Sequence, residues 1–186
     1  MAIEKDFLEG AKKLFRYYKD LADKAMAQLD DAHVLAQPNP ASNSIALIVH
    51  HMSGNMLSRW TEFLTSDGEK PWRNREAEFE VSYPNKKTML EDWEKGWNCL
   101  FAALDALQPE DLTRIIYIRN EGQTAMDAIQ RQLAHYPMHV GQIIYQAKNL
   151  IGDQFQSLSI PKGGSQVYNQ QKFDQEKQLR HFTDRV

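Results

Sequence analysis

Apolar residues in this chain recur every three or four positions over four long stretches, and that spacing narrows the available folds more than any other feature. A period near 3.6 gathers apolar side chains onto one stripe of an α-helix, whereas a strand alternates its faces every two residues. From Ile3 to Leu29 the stripe includes Phe7, Ala11, Phe15, Tyr18, Ala22 and Met26, with lysines and acids between them, which predicts a first helix. The run QPNPASNS holds two prolines and several capping residues, so it ends that helix and offers Ser42 or Asn43 as the N-cap of a second, expected from Ser44 to Leu64. A third helix is expected from near Asn85, with Leu90, Trp93, Trp97, Leu100, Leu104 and Leu107 on its stripe until Pro109, and Cys99 off it. A fourth starts at Thr124 and ends near Gly152, with Met126, Ile129, Leu133, Val140, Ile144 and Ala147 apolar. Pro137 falls inside this last helix, where a proline costs roughly 3 kcal/mol and calls for a kink or a compensating interaction.

Three segments escape the period. SDGEKPWRNREAEFEVSYP, between the second and third helices, is longer than most connections in a compact domain, and such loops are usually functional or mobile. TRIIYIRNEG alternates β-branched and aromatic residues before a turn and reads as a short extended piece. Beyond Gly152 the chain is polar, and residues 152–186 form a tail that wraps the helices, wraps a neighbouring subunit or stays mobile. The expected fold is therefore all-α, a four-helix bundle with a long loop between helices two and three.

With 186 residues, 42% of them hydrophobic, the chain matches one domain spanning 1–186 with a sizeable core. A net charge of −3 gives no attraction for phosphate backbones, so nucleic acid is not an expected partner. No run approaches the ~20 apolar residues that span a bilayer, and MAIEKDFLEG lacks the features of a signal peptide, so no membrane association and a cytoplasmic location are expected. A single cysteine, Cys99, cannot form an intramolecular disulfide, which fits a reducing compartment.

Chemistry concentrates in the histidines. In QLAHYPMHVGQ, His135 and His139 are four positions apart, so a helix places both imidazoles on one face about 6 Å apart along the axis, a gap that one metal ion can bridge. The spacing resembles zinc sites on helices but lacks the glutamate of the common metalloprotease signature, and core histidines produce the same spacing. The wheel puts both on the flank of the apolar stripe with Gln132 and Gln142. A third ligand is needed, and the second helix offers His50 and His51, which face different ways. His51 shares its side with Ile48, Asn55 and Arg59; His50 shares its side with Leu47, Gly54 and Leu57. His33 and His181 read as ordinary surface or loop residues.

The segments NSIALIVHHMSGNMLSRW, DGEKPWRNREAEF and AIQRQLAHYPMHVGQIIY together resemble the DinB/YfiT-like metal-dependent bundle superfamily, in an uncharacterised branch. The most specific piece is the HxxxHxGQI element from His135 to Ile143. The resemblance covers most of the chain and implies an up-down-down-up bundle, commonly a homodimer, with one divalent metal on a helix-two histidine and two helix-four histidines. His51, His135 and His139 match those positions, with His50 as the alternative on helix two.

Three neutral imidazoles leave an ion its double charge and open coordination positions, the pattern of catalytic zinc. Such an ion lowers the pKa of bound water or thiol. Characterised relatives in the superfamily include transferases and isomerases that use a low-molecular-weight thiol such as bacillithiol or mycothiol, so the resemblance implies thiol-dependent S-transfer to a small-molecule substrate. Metal-assisted hydrolysis is the second reading and needs an acid, for which Glu121 and Tyr136 are candidates. A non-enzymatic, stress-associated metal-binding protein is the third. Zinc or nickel are the first choices of ion. Asn55 and Glu121 are candidates to support the ligands, and Arg59, Trp72 and Arg73 to line the cleft.

Overall fold

The computed structural model describes residues 2–80 and 83–184; Val81 and Ser82 of the long loop, Met1 and the last two residues of the tail lie outside the described residues. Among the described residues the chain is all-α but for one hairpin, as the apolar period requires. Helix α1 (Ala2–Ala27) buries Leu8, Ala11, Phe15, Ala22, Ala25 and Met26 along the expected stripe. A short helix not expected from the sequence, α2 (Asp31–Leu35), follows; the His33 amide donates to the Asp30 carboxylate at 2.9 Å and the Asp30 amide donates to His33 Nδ1 at 3.4 Å, a local capping pair. Helix α3 (Ile45–Trp60) begins one residue later than expected, because the cap is Ser44, whose hydroxyl accepts from the Leu47 amide at 3.2 Å, rather than Ser42 or Asn43. It also stops short of Leu64: Glu62 adopts φ +50°, which ends the helical path.

The long loop contains a single turn of helix, α4 (Ala77–Glu80), and its first half is docked on both sides. The Gly68 carbonyl accepts from Ser58 and Arg59 of α3, while the Gly68 amide donates to the Tyr117 carbonyl at 2.8 Å. Helix α5 (Lys86–Ala106) starts where expected, is capped by Asn85, and buries Trp93, Trp97, Leu100 and Leu104. The extended piece is an antiparallel hairpin of β1 (Ile115–Ile118) and β2 (Glu121–Thr124), turned by Arg119 and Asn120, both at positive φ. Helix α6 (Ala125–Ile151) starts on the Thr124 cap, runs through Pro137 and ends at Gly152, whose φ of +53° suits glycine.

Phe15 stands where the four long helices meet. Its ring packs against Trp60 of α3, Trp97 of α5 and Tyr136 of α6, with centroids 6.3, 6.4 and 5.9 Å away. Edge-on and tilted contacts of this kind suit the ring quadrupoles and hold all four helices to one aromatic centre. Around it α3 packs chiefly on α5 and α1 on α6, while α3 meets α6 along a shorter seam. The tail lies back on α1, through Lys13 to Asp184 at 2.9 Å and Tyr17 to Phe182 at 5.6 Å, and carries α7 (Ser165–Phe173). Among the described residues, no helix is long and apolar enough to cross a membrane.

Candidate metal centre

The seam between α3 and α6 holds the histidines. His51 is buried on α3, His135 and His139 are half-buried on α6, and one ring nitrogen from each lies within 4.8 Å of the other two. The rings are 4.7 to 5.6 Å apart, centroid to centroid. His50, the alternative on the same helix, turns away and packs against Tyr83 at 5.3 Å. A one-residue step on a helix rotates a side chain by about 100°, which is why only one of two adjacent histidines can join the group.

Each of the three rings is fixed through its Nδ1. Gln132 Oε1 lies 3.0 Å from His135 Nδ1, Gln142 Oε1 lies 2.8 Å from His139 Nδ1, and Glu78 Oε2 lies 2.9 Å from His51 Nδ1. Amide and carboxylate oxygens accept, so each neutral ring carries its proton on Nδ1 and leaves a lone pair on Nε2. His135 Nε2 and His139 Nε2 face each other at 3.0 Å. Two lone pairs at that distance repel unless a cation lies between them, and a tetrahedral ion with Zn–N bonds of about 2.0–2.1 Å would place its nitrogens roughly 3.3 Å apart. The donor set therefore fits a divalent ion: three neutral imidazoles, pre-oriented by outer hydrogen bonds, with lone pairs converging.

Burial pushes His135 down to about 3, reinforced by the neighbouring His139 and His51, and burial also lowers His139 against the opposing effect of the hydrogen bond it donates to Gln142. Both imidazoles are thus neutral at neutral pH, the form that ligates metal.

Glu78 is the functional residue that sequence reasoning missed. It sits on α4 with its side chain almost fully buried, and Arg73 grips it with Nε to Oε1 at 2.7 Å and Nη2 to Oε2 at 2.9 Å. Burial alone would raise the Glu78 carboxyl, but the hydrogen bonds and charge of His51 and Arg73 hold it below the usual carboxylate range. Gly54, one turn beyond His51, makes room for it: a Cβ there would stand 2.9 Å from Glu78 Cδ and overlap the carboxylate. The absence of a side chain at Gly54 was the available signal, though nothing in the sequence says which loop residue fills the gap.

The other candidates separate cleanly. Asn55, Arg59 and Arg73 line a cleft of about 540 Å³ that opens on His51 and His135. Trp72 is exposed and does not line it. Glu121 is exposed on β2. Tyr136 is wholly buried, its hydroxyl donating to Asn55 Oδ1 at 3.0 Å and accepting from Trp60 Nε1 at 3.1 Å, with burial raising its pKa. Its place in the core anchors the neighbouring His135 rather than facing the cleft.

A family model described as "Protein of unknown function (DUF1572)" matches residues 2–164. No curated protein matches the chain. Among solved structures, a conserved protein from Enterococcus faecalis shares the fold, with a TM-score of 0.59 at 18% identity over 77% of this chain and 96% of the other.

Proposed function

The chain belongs to the DUF1572 family, and from that membership and its converging histidines we propose a metal-dependent enzyme of the DinB/YfiT-like type, with one divalent ion on His51, His135 and His139. The observation that carries the reading is the set of three Nε2 lone pairs, each freed by an Nδ1 partner, beside an open cleft. The same reading takes residues 1–186 as one domain, the four long helices as an up-down-down-up bundle, and the chain as a cytoplasmic homodimer. Zinc or nickel is the proposed ion.

The proposed reaction is thiol-dependent S-transfer to a small molecule. When bound, the ion supplies the Lewis acidity that makes a thiolate available near neutral pH. The chain's own residues do the rest. Glu78, Gln132 and Gln142 keep the three rings aimed and neutral on Nε2, and the cleft holds the electrophile beside them. Sulfur bonds to the electrophilic carbon, the leaving group departs, and the thiol proton passes to solvent. A hydrolase would need a proton donor at the triad; the Tyr136 hydroxyl is committed to Asn55 and Glu121 lies out on the hairpin, which favours the thiol reading.

Elemental analysis of purified, tag-free protein tests the site, and a cobalt-loaded sample titrated with a small thiol tests the chemistry. Near-stoichiometric metal and a sulfur-to-cobalt charge-transfer band are expected. Metal without the band returns the choice to hydrolysis or a non-enzymatic metal-binding role, and no metal after reconstitution overturns the site.

A further inference from the structure

The cleft over the histidines is cationic in a chain whose net charge is −3. Five arginines line it: Arg59, Arg73, Arg75, Arg119 and Arg131, with Glu76 the only acid in the lining. Counting the neighbouring Glu69, Glu78 and Asp67 as well, five positive charges face four negative ones, an excess of one. The pairing is also uneven. One oxygen of Glu69 serves three guanidinium groups, Arg119 at 3.1 Å, Arg59 at 3.2 Å and Arg73 at 3.6 Å. Arg131 makes no ion pair among the described residues.

Two of these arginines are placed to receive a ligand. Arg131 lies four residues before His135 on α6, on the same side of the helix and one turn away. Arg119 sits at the hairpin turn with its side chain more than half exposed, and its amide donates to Asp67 Oδ1 at 2.9 Å, which fixes its backbone. A guanidinium group offers a planar fork of donors matched to carboxylate or phosphate oxygens, and a recessed cationic cleft draws such groups in from solution.

We propose that this cleft takes a small molecule bearing a carboxylate or phosphate group, which Arg119 and Arg131 hold while the rest of the molecule reaches the histidine triad. The cleft volume of about 540 Å³ is within the range of small-molecule sites. Anion capture stands on the arginines alone; the direction of the remaining part of the ligand toward chemistry rests on the metal reading above.

The test is calorimetric titration of inorganic phosphate and, in a separate arm, succinate, into nickel-loaded and EDTA-stripped protein at low salt, with folding of every variant checked by circular dichroism. At least one anion is expected to bind both forms, and the arm that binds tells phosphate from carboxylate. Arg131→Gln and Arg119→Gln should each weaken binding about tenfold, Arg131→Lys should recover part of the loss, and Lys162→Gln, on the exposed tail, should change nothing. Arginine-dependent binding to a protein that never takes up nickel would support anion capture while overturning the metal reading. Binding only to the nickel-loaded form and indifferent to both arginines would mean the anion ligates the ion, which overturns the proposal and leaves the metal site intact. No binding of either anion to either form overturns it as well.

Discussion

At the residue scale, what distinguishes the three histidines from the others is the atom each leaves free. His33 completes a helix cap and His181 is hydrogen-bonded to Thr183 within the tail, so neither contributes to a common point. Alanine at His51, His135 or His139 is expected to abolish near-stoichiometric metal by elemental analysis, and alanine at His33 or His181 to leave it unchanged; equal loss at all five would refute the assignment. Gly54→Ala probes the support of the site without touching a ligand. Its methyl would displace the Glu78 carboxylate from His51, and loss of such an outer partner lowers metal affinity roughly 10- to 100-fold, measurable by competition with a chelator while helix content stays constant. Unchanged affinity would mean that Glu78 does not orient His51.

At the scale of elements, the long helices were legible because burial enforces their period, and their starts near Asn85 and Thr124 were placed to within a residue, although the capping role of those two side chains emerges only in the structure. The histidine pair on α6 was readable for the same reason: spacing on a helix is geometry. The short helices α2 and α4 were not readable, since each is about a turn long and is held by partners elsewhere in the chain. Glu78 is the clearest case, because only folding of the loop against α3 brings it within 2.9 Å of a histidine 27 residues earlier. The choice between His50 and His51 was partly legible, from the polar strip that Asn55 and Arg59 share with His51. Two expectations follow for the elements themselves. Trp97→Ala on α5 should cost about 3–5 kcal/mol in urea denaturation, since the ring is fully buried against Phe15, Tyr136 and Trp93. A cost near zero would mean that the aromatic centre does not hold the helices together. Asp67 accepts from the amides of Glu69, Arg119 and Asn120, so Asp67→Asn should loosen the loop from the hairpin by about 1 kcal/mol, allowing for its partial exposure. Faster hydrogen exchange at Arg119 and Asn120 is the readout, with unaltered exchange counting against the latch.

At the scale of the whole molecule, acid acts on the seam that would hold the proposed ion. In the metal-free protein, His135 is held neutral down to about 3 when folded but titrates near 6.5 when unfolded. The unfolded chain therefore binds the extra proton first, and the stability this group contributes is present above 6.5 and is lost as the pH falls toward about 3. Urea midpoints taken between about pH 7 and pH 4 should fall with acid, and His135→Gln should flatten the slope; an identical slope in the variant would remove His135 from the account.

The contacts between α3 and α6 are sparser than those α3 makes with α5, yet it is across this weaker join that the three imidazoles converge. On the proposed reading, a bound ion cross-links the two helical pairs, α3 with α5 and α1 with α6, across a join where the protein's own packing is sparse. Melting temperature then becomes a gauge of free metal: an ion present at a hundred times its dissociation constant adds about 2.7 kcal/mol to folding, so the fraction of chains that survive heating reports how much of the ion their surroundings hold.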